Sequence, residues 1–172
     1  MQNEYFHKET NMKGGLFQHE MTETSAVFGR ESKINVVFRG NEAFTDGDTI
    51  TVPSVDALAD ITDEQRDVMR GYIDHEAGHV RHPDFEYLHE WGRKNKGNKL
   101  LHQTHNALED IWLERRVMDD YPGATTNLRA VTSEVNQTFL DEVDATDERL
   151  KAPKFIGPVA ITWEGRKSYG GE

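Results

Sequence analysis

Asp74-His75-Glu76-Ala77-Gly78-His79 is a His-Glu-x-x-His stretch, and its reading decides how the rest of the chain is arranged. On a helix, residues four apart lie on one face, so His75 and His79 can aim two imidazole nitrogens at one cation. Glu76 stands one step round from them, where a carboxylate can take a proton from a metal-activated water. The pattern fixes only three positions. It needs a helical context and at least one further ligand to carry chemistry.

The helical context is well signalled. Thr62 with Gln65 forms a capping-box pattern, and Asp63 and Glu64 fall in the first turn, where the helix dipole favours acids. Pro83 is expected to stop the helix just after His82. Val68, Met69, Tyr72, Ile73, Ala77 and Val80 trace an apolar arc, with Asp67, Arg70, Asp74 and Arg81 on the opposite, wet face. Glu76 falls inside the apolar arc, and His75 and His79 lie at its edge. An unpaired buried carboxylate is costly, so a partner is required, and a metal-bound water meets the need economically.

Upstream, Ile34-Asn-Val-Val-Phe38 is β-branched and aromatic, and Ala43-Phe44-Thr45 leads into a hairpin-type turn at Asp46-Gly47-Asp48. Thr49-Ile-Thr-Val52 alternates with period 2 and stops at Pro53, which predicts a half-exposed edge strand. Such a strand is a candidate for pairing with an extended peptide. Residues 1–32 are polar, with a break at Gly14-Gly15. They read as a loosely ordered arm with one short helix, in which His7 and His19 are ordinary surface residues.

Downstream, Asp84 suits the N-cap of a short helix carrying Phe85, Leu88 and Trp91, followed by a Lys/Gly/Asn loop over 92–99. A strong helix is predicted from about Leu100 to Asp120, ending at Tyr121-Pro122-Gly123, and another from near Thr126 with Leu128, Val131, Val135 and Phe139 as its buried stripe. Residues 141–154 are acidic and irregular. The stretch 156–163 fits either a short strand or a helical turn after Pro158, and the Gly-Gly-Glu end reads as a tail or the start of a linker.

The helix over 100–120 holds the candidates for a third ligand. Its apolar residues Ala107, Leu108, Ile111, Leu113, Val117 and Met118 spread over a broad arc into which Asp110 and Glu114 point. Glu109 projects near the polar boundary, where a small rotation would bring it in. Asp110 and Glu114 therefore read as an inward pair, one a ligand and one a partner to a ligating histidine. The competing explanation is an ion pair with Arg115 or Arg116. His82, His89, His102 and His105 read as surface or supporting groups. His105 and Tyr121 are weak candidates for stabilising an oxyanion, and Tyr72 and Trp112 are expected in the core.

Composition narrows the function. Hydrophobic residues make up 35% and charged residues 30% of 172, which suits one well-solvated domain. Net charge is 20 − 31 = −11, which argues against a nucleic-acid backbone as partner. No apolar run spans a bilayer, and the first residues lack the layout of a signal peptide, so an intracellular protein without a membrane partner is expected. There is no cysteine, so any metal must be held by histidine and carboxylate.

Taken together, the His-Glu-x-x-His helix, a preceding strand ending in Thr51-Val52-Pro53 and an acidic second helix resemble the gluzincin branch of the zincin metallopeptidases. More narrowly, Asp74-His-Glu-Ala-Gly-His79, His82-Pro-Asp-Phe85, Ala107-Leu-Glu-Asp-Ile-Trp-Leu-Glu-Arg115 and Tyr121-Pro-Gly123 resemble metallopeptidase-like regions of phage proteins and of relatives of cobaltochelatase subunits. The likeness covers roughly residues 34–131. His82 and Phe85 occupy the positions where the metzincin extension has Gly and His, which excludes that class.

The resemblance implies an α+β, zincin-like fold with a small N-terminal sheet, the metal-motif helix and further C-terminal helices. It also implies a zinc-binding domain over 33–145, with residues 146–172 as an extension packed on it or leading to a linker. Gluzincins take a Glu as third ligand, commonly with an Asp four residues on. Here Glu109 is followed at that distance by Leu113, while Asp110 and Glu114 keep the spacing with the acids exchanged. The implied activity is zinc-dependent peptide hydrolysis. In that reading His75, His79 and one of Glu109 or Asp110 hold Zn²⁺, Glu76 is the general base, Glu114 orients a histidine, and the substrate is a peptide or protein. The alternative is a catalytically silent, metal-stabilised binding or assembly module of the cobaltochelatase-related kind. A von Willebrand factor A domain on another chain is the implied partner.

Overall fold

The computed structural model describes residues 12–28, 34–82, 85–144 and 153–167. Expectations for His7, Pro83, Asp84, the side chains of Phe85, Leu88 and His89, and the Gly-Gly-Glu end fall outside the described residues.

The fold is α+β and mostly helical. In chain order it runs β1 (Met12–Lys13), α1 (Gly14–Phe28), β2 (Asn35–Phe38), β3 (Phe44–Thr45), β4 (Thr49–Val52), β5 (Asp60–Ile61), α2 (Asp63–Arg81), α3 (Phe85–Lys94), α4 (Lys99–Asp120), α5 (Ala124–Asp144) and α6 (Pro153–Lys167). No described helix is long and apolar enough to cross a membrane.

The sheet corrects one expectation. β4 is the central strand, not an edge: β2 pairs with it in parallel from Asn35↔Thr49 to Phe38↔Val52, and β3 pairs antiparallel on its other side. Its alternation is as expected, with Ile50 and Val52 fully buried. Alternation reports which face of a strand meets the core and says nothing about its lateral neighbours. Both backbone edges of β4 are taken, so it is not a site for strand addition. The turn into β4 is built as its residues suggest: Gly47 has φ +100, and Asp46 Oδ1 accepts from the Asp48 and Thr49 N–H groups at 3.1 and 2.8 Å.

The N-terminal stretch also departs from the reading of a loose arm. Residues 14–28 form α1, and Phe17 and Met21 sit in one core with Ile34, Val36, Ile50, Val52, Ile61, Met69 and Ile73. Phe17 meets Phe38 edge to face, at 6.2 Å between ring centroids. Two apolar residues four apart in a polar stretch make a weak signal. Tertiary burial overrode it.

α2 is the axis of the domain. Its Thr62 side chain accepts from the Gln65 N–H at 3.2 Å, and the Gln65 side chain returns the bond to the Thr62 N–H at 3.0 Å. One face packs Met69 and Ile73 into the core with the sheet and α1. Of the residues read as a wet face, Arg81 is exposed, Asp67 and Arg70 are half-buried, and Asp74 is covered. A Cβ on Gly71 would lie 2.2 Å from the Asn127 carbonyl oxygen of α5, and one on Gly78 would lie 2.7 Å from Val117 Cγ2 of α4. These two glycines let neighbouring helices approach closely. Asp74 between them is buried and accepts from Asn127 Nδ2 at 2.8 Å. Burial pushes its carboxyl up to about 6, with Asn127 and Arg70 opposing.

Beyond α2, Leu113 and Val117 of α4 pack with Ala124 and Leu128 of α5 in a second cluster. Trp112 was expected in the core and is 56% exposed, meeting His82 edge to face at 6.2 Å. The stretch 156–163 is helical, part of α6 with Pro158 inside it, and α6 packs against α4.

Candidate metal centre

The i, i+4 spacing on α2 brings the two imidazoles together as geometry demands: His75 Nε2 and His79 Nε2 are 3.2 Å apart. α4 crosses in front of them. Asp110 Oδ1 lies 3.6 Å from His75 Nε2 and 3.5 Å from His79 Nε2. The remaining acids of α4 face the other nitrogens. Glu114 Oε1 is 3.2 Å from His75 Nδ1, and Glu109 Oε1 is 3.7 Å from His79 Nδ1.

This distribution places Asp110, and not Glu109, beside the paired Nε2 atoms. Three donor atoms, from His75, His79 and Asp110, lie within 4.8 Å of one another, the one such group of metal-ligating side chains among the described residues. A tetrahedral ion with bonds of about 2.0–2.1 Å spaces its ligand atoms about 3.3–3.4 Å apart, close to the distances seen. A histidine that holds a metal through Nε2 donates its Nδ1–H to a carboxylate, and both histidines face one. With both Nδ1 atoms protonated in this way, two Nε2 lone pairs would face each other and a third acceptor. A cation or a shared proton must lie among them. The donor set of two imidazoles and a carboxylate, without sulfur, suits a first-row divalent ion, zinc among them.

The electrostatics point the same way. Burial disfavours a charged His79, but Asp110 and then Glu109 outweigh it and push the ring up to about 10. His75 is also raised, burial being overcome by Glu114 and Asp110. Glu114 is fully buried. Desolvation alone would raise its carboxyl, yet hydrogen bonds from His75 and Arg166 hold it down at about 2. Arg166 grips both oxygens of Glu114, Nε at 2.8 Å and Nη2 closer still. Sequence reading missed Arg166, since Arg115 and Arg116 are nearer in the chain. Arg166 lies on α6, next to Gly165, which abuts Ile111 of α4. A helix-ending Arg after a Gly is too common a pattern to single out.

Glu76 is 7% exposed and lines a cleft of roughly 370 Å³ with His75, Asp110 and Glu114. Burial raises its carboxyl, while His75 and His79 pull the other way. No hydrogen bond reaches it among the described residues. His105 lies 3.9 Å from Glu109 Oε2 and stacks on Trp91, with ring centroids 4.1 Å apart. His102 meets the other side of this group, its Nε2 3.1 Å from the Asn95 carbonyl oxygen. His82 stands apart beside Asp120. Tyr121 is not brought to the cluster. It lines a separate, larger cleft of roughly 620 Å³ with Arg70, Asp74 and Asn127, which contains none of the three donor residues.

The fold and the cluster define a helix-centred α+β domain with a candidate His/His/Asp cation site. The chain belongs to the family of the cobalamin biosynthesis protein CobT, whose family model matches residues 15–154. That match agrees with the cobaltochelatase-related part of the resemblance seen in the motifs, and it begins inside the stretch read as an arm. No curated protein and no solved structure matches the chain significantly.

Proposed function

We propose that the chain is a metal-stabilised binding or assembly module of the cobaltochelatase-related kind, built around one zinc-type cation held by His75, His79 and Asp110. One observation carries this reading: two Nε2 atoms and a carboxylate oxygen converge within 3.2–3.6 Å, while a glutamate stands behind each ring. Membership in the CobT family supports the module rather than an isolated protease. In this reading α2 and α4 are tied together by the ion. Glu114, fixed by Arg166, holds the tautomer of His75, and Glu109 does the same for His79.

Metal analysis of the purified chain tests it. One zinc per chain is expected, lost in His79→Ala and in Asp110→Ala and weakened but retained in Glu109→Ala. If Glu109→Ala loses the metal and Asp110→Ala keeps it, the ligand assignment reverses. If no stoichiometric metal is found, and added Zn²⁺ neither binds nor raises Tm, the cation reading is wrong.

A specific feature favours a second reading, zinc-dependent peptide hydrolysis. Glu76 is a buried carboxylate with no hydrogen-bond partner among the described residues, in the same cleft as the cluster. Bound zinc would supply Lewis acidity and lower the pKa of a coordinated water. Glu76 would accept a proton at its carboxylate and return it to the leaving amine. Its burial, which raises the carboxyl, suits a group that must hold that proton between the two events. A panel of unfolded peptides discriminates: an enzyme loses turnover in Glu76→Gln while keeping its zinc, whereas a module cleaves nothing in either form. The resemblance adds a von Willebrand factor A domain on a separate chain as partner, to be sought by co-purification.

A further inference from the structure

The cleft beside the histidine cluster is walled on its far side by α5 and α6. That wall is largely apolar, with Val131, Val135 and Phe139 from α5 and Val159 from α6. Three uncharged polar side chains interrupt it, and two are satisfied within their own helices. Thr132 Oγ1 donates to the Leu128 carbonyl at 2.8 Å, and Thr162 Oγ1 donates to the Pro158 carbonyl at 3.0 Å. Asn136 is different. It is 8% exposed, and no hydrogen bond reaches its carboxamide among the described residues. Its polar atoms are not sealed off, so what access they have is to the cleft they line.

A polar side chain that opens onto a cleft and has no protein partner can take one from a bound molecule. A carboxamide presents two donors and an acceptor. An uncharged amide can donate its N–H to the Asn136 carbonyl oxygen, or accept from the Asn136 amino group, without bringing charge into the cleft. A carboxylate offers no donor, and it would face Glu76 and Asp110 across the same cleft. A cationic group offers no acceptor. We propose that Asn136 is a ligand-anchoring residue: its carboxamide pairs with an amide of the ligand, whose apolar arm lies along Val131, Val135 and Phe139. The inference rests on the proposed reading only in that the cleft adjoins the cluster; it requires neither hydrolysis nor a bound ion.

The test uses the full chain, ¹⁵N-labelled, with two probes of the same shape: N-isopentylacetamide, which has an amide, and isopentyl acetate, which replaces the N–H by oxygen. Each is titrated at millimolar concentration while the side-chain amide resonances of Asn136 are followed. The amide is expected to move those resonances to saturation and to bind about fivefold more tightly than the ester, the worth of roughly one net hydrogen bond. Asn136→Leu should abolish the preference and leave Tm equal or higher, because an unpaired amide gives way to an apolar side chain of similar size. Equal binding of amide and ester to the wild type overturns the proposal without recourse to any variant. So does a preference that survives in Asn136→Leu, or an Asn136 resonance that neither probe moves. Zinc content measured on the same samples keeps the two readings apart. Chain that holds no zinc even after Zn²⁺ is added, and still prefers the amide, refutes the cation site alone; zinc-loaded chain without the preference refutes the anchor alone.

Discussion

The two faces of α2 are built by different physics. Toward the sheet and α1 the helix buries Met69 and Ile73 among Phe17, Ile50 and Val52, where non-directional apolar burial does the work. Toward α4 and α5 it presents Gly71, Asp74, His75, Gly78 and His79, where close backbone approach and paired charges take over. The first face depends on filled volume. The second holds an arrangement in which each buried charge depends on a named partner, which is what a cation site needs and what a plain core does not supply.

The sharpest way to break that contrast is to remove one charge. Arg166→Ala strands Glu114 without its guanidinium in a fully buried position and should cost about 3–5 kcal/mol, read by urea denaturation in chelator. Replacing both partners, Arg166→Met with Glu114→Leu, should recover most of that loss. If it does not, the charged face is stabilised by more than mutual pairing. On the apolar face Phe17→Ala should cost about 3–4 kcal/mol with no change in metal content, because it leaves a cavity in a cluster that contains none of the three donors.

A smaller effect tests the helix approach itself. Gly71→Ala places a methyl group against the Asn127 carbonyl, and α5 must shift to admit it, at roughly 2–3 kcal/mol. Thermal unfolding measures the loss; an unchanged Tm would show that α5 is free to move. The smallest effect concerns Asp74, whose folded carboxyl titrates at about 6 against an ordinary 3.8. The native state therefore holds this proton more tightly than the unfolded chain. Its contribution to stability rises as pH falls from about 6 to 3.8 and is least favourable above 6. Asp74→Asn should gain on the order of 2 kcal/mol at pH 7.5, with the gain fading toward pH 4. A gain that does not depend on pH would assign the effect to packing.

The same contrast explains what could be read from the chain. The capping box at Thr62, the alternation in 49–52 and the apolar arc of α2 are local patterns with a single period, and each appears in the structure where it was expected. Gly71 and Gly78, seven apart in the helix interior, mark where α5 and α4 lie against the side of α2 that carries Asp74. Trp112 went the other way: it was expected in the core, but nothing among the described residues packs over it sufficiently to hide it.

The sequence by itself determined that His75 and His79 share a face, that Glu76 stands beside them in an apolar arc, and that α4 turns acids inward. Those follow from helical periodicity alone. Which acid meets the paired Nε2 atoms was decided by the crossing of α4 over α2, since Glu109 and Asp110 differ by only one residue of rotation. Likewise β4 became central, α1 joined the core, and Arg166 found Glu114 from 52 residues away. Periodicity tells a residue which way to face. Only the packed chain decides what it finds there.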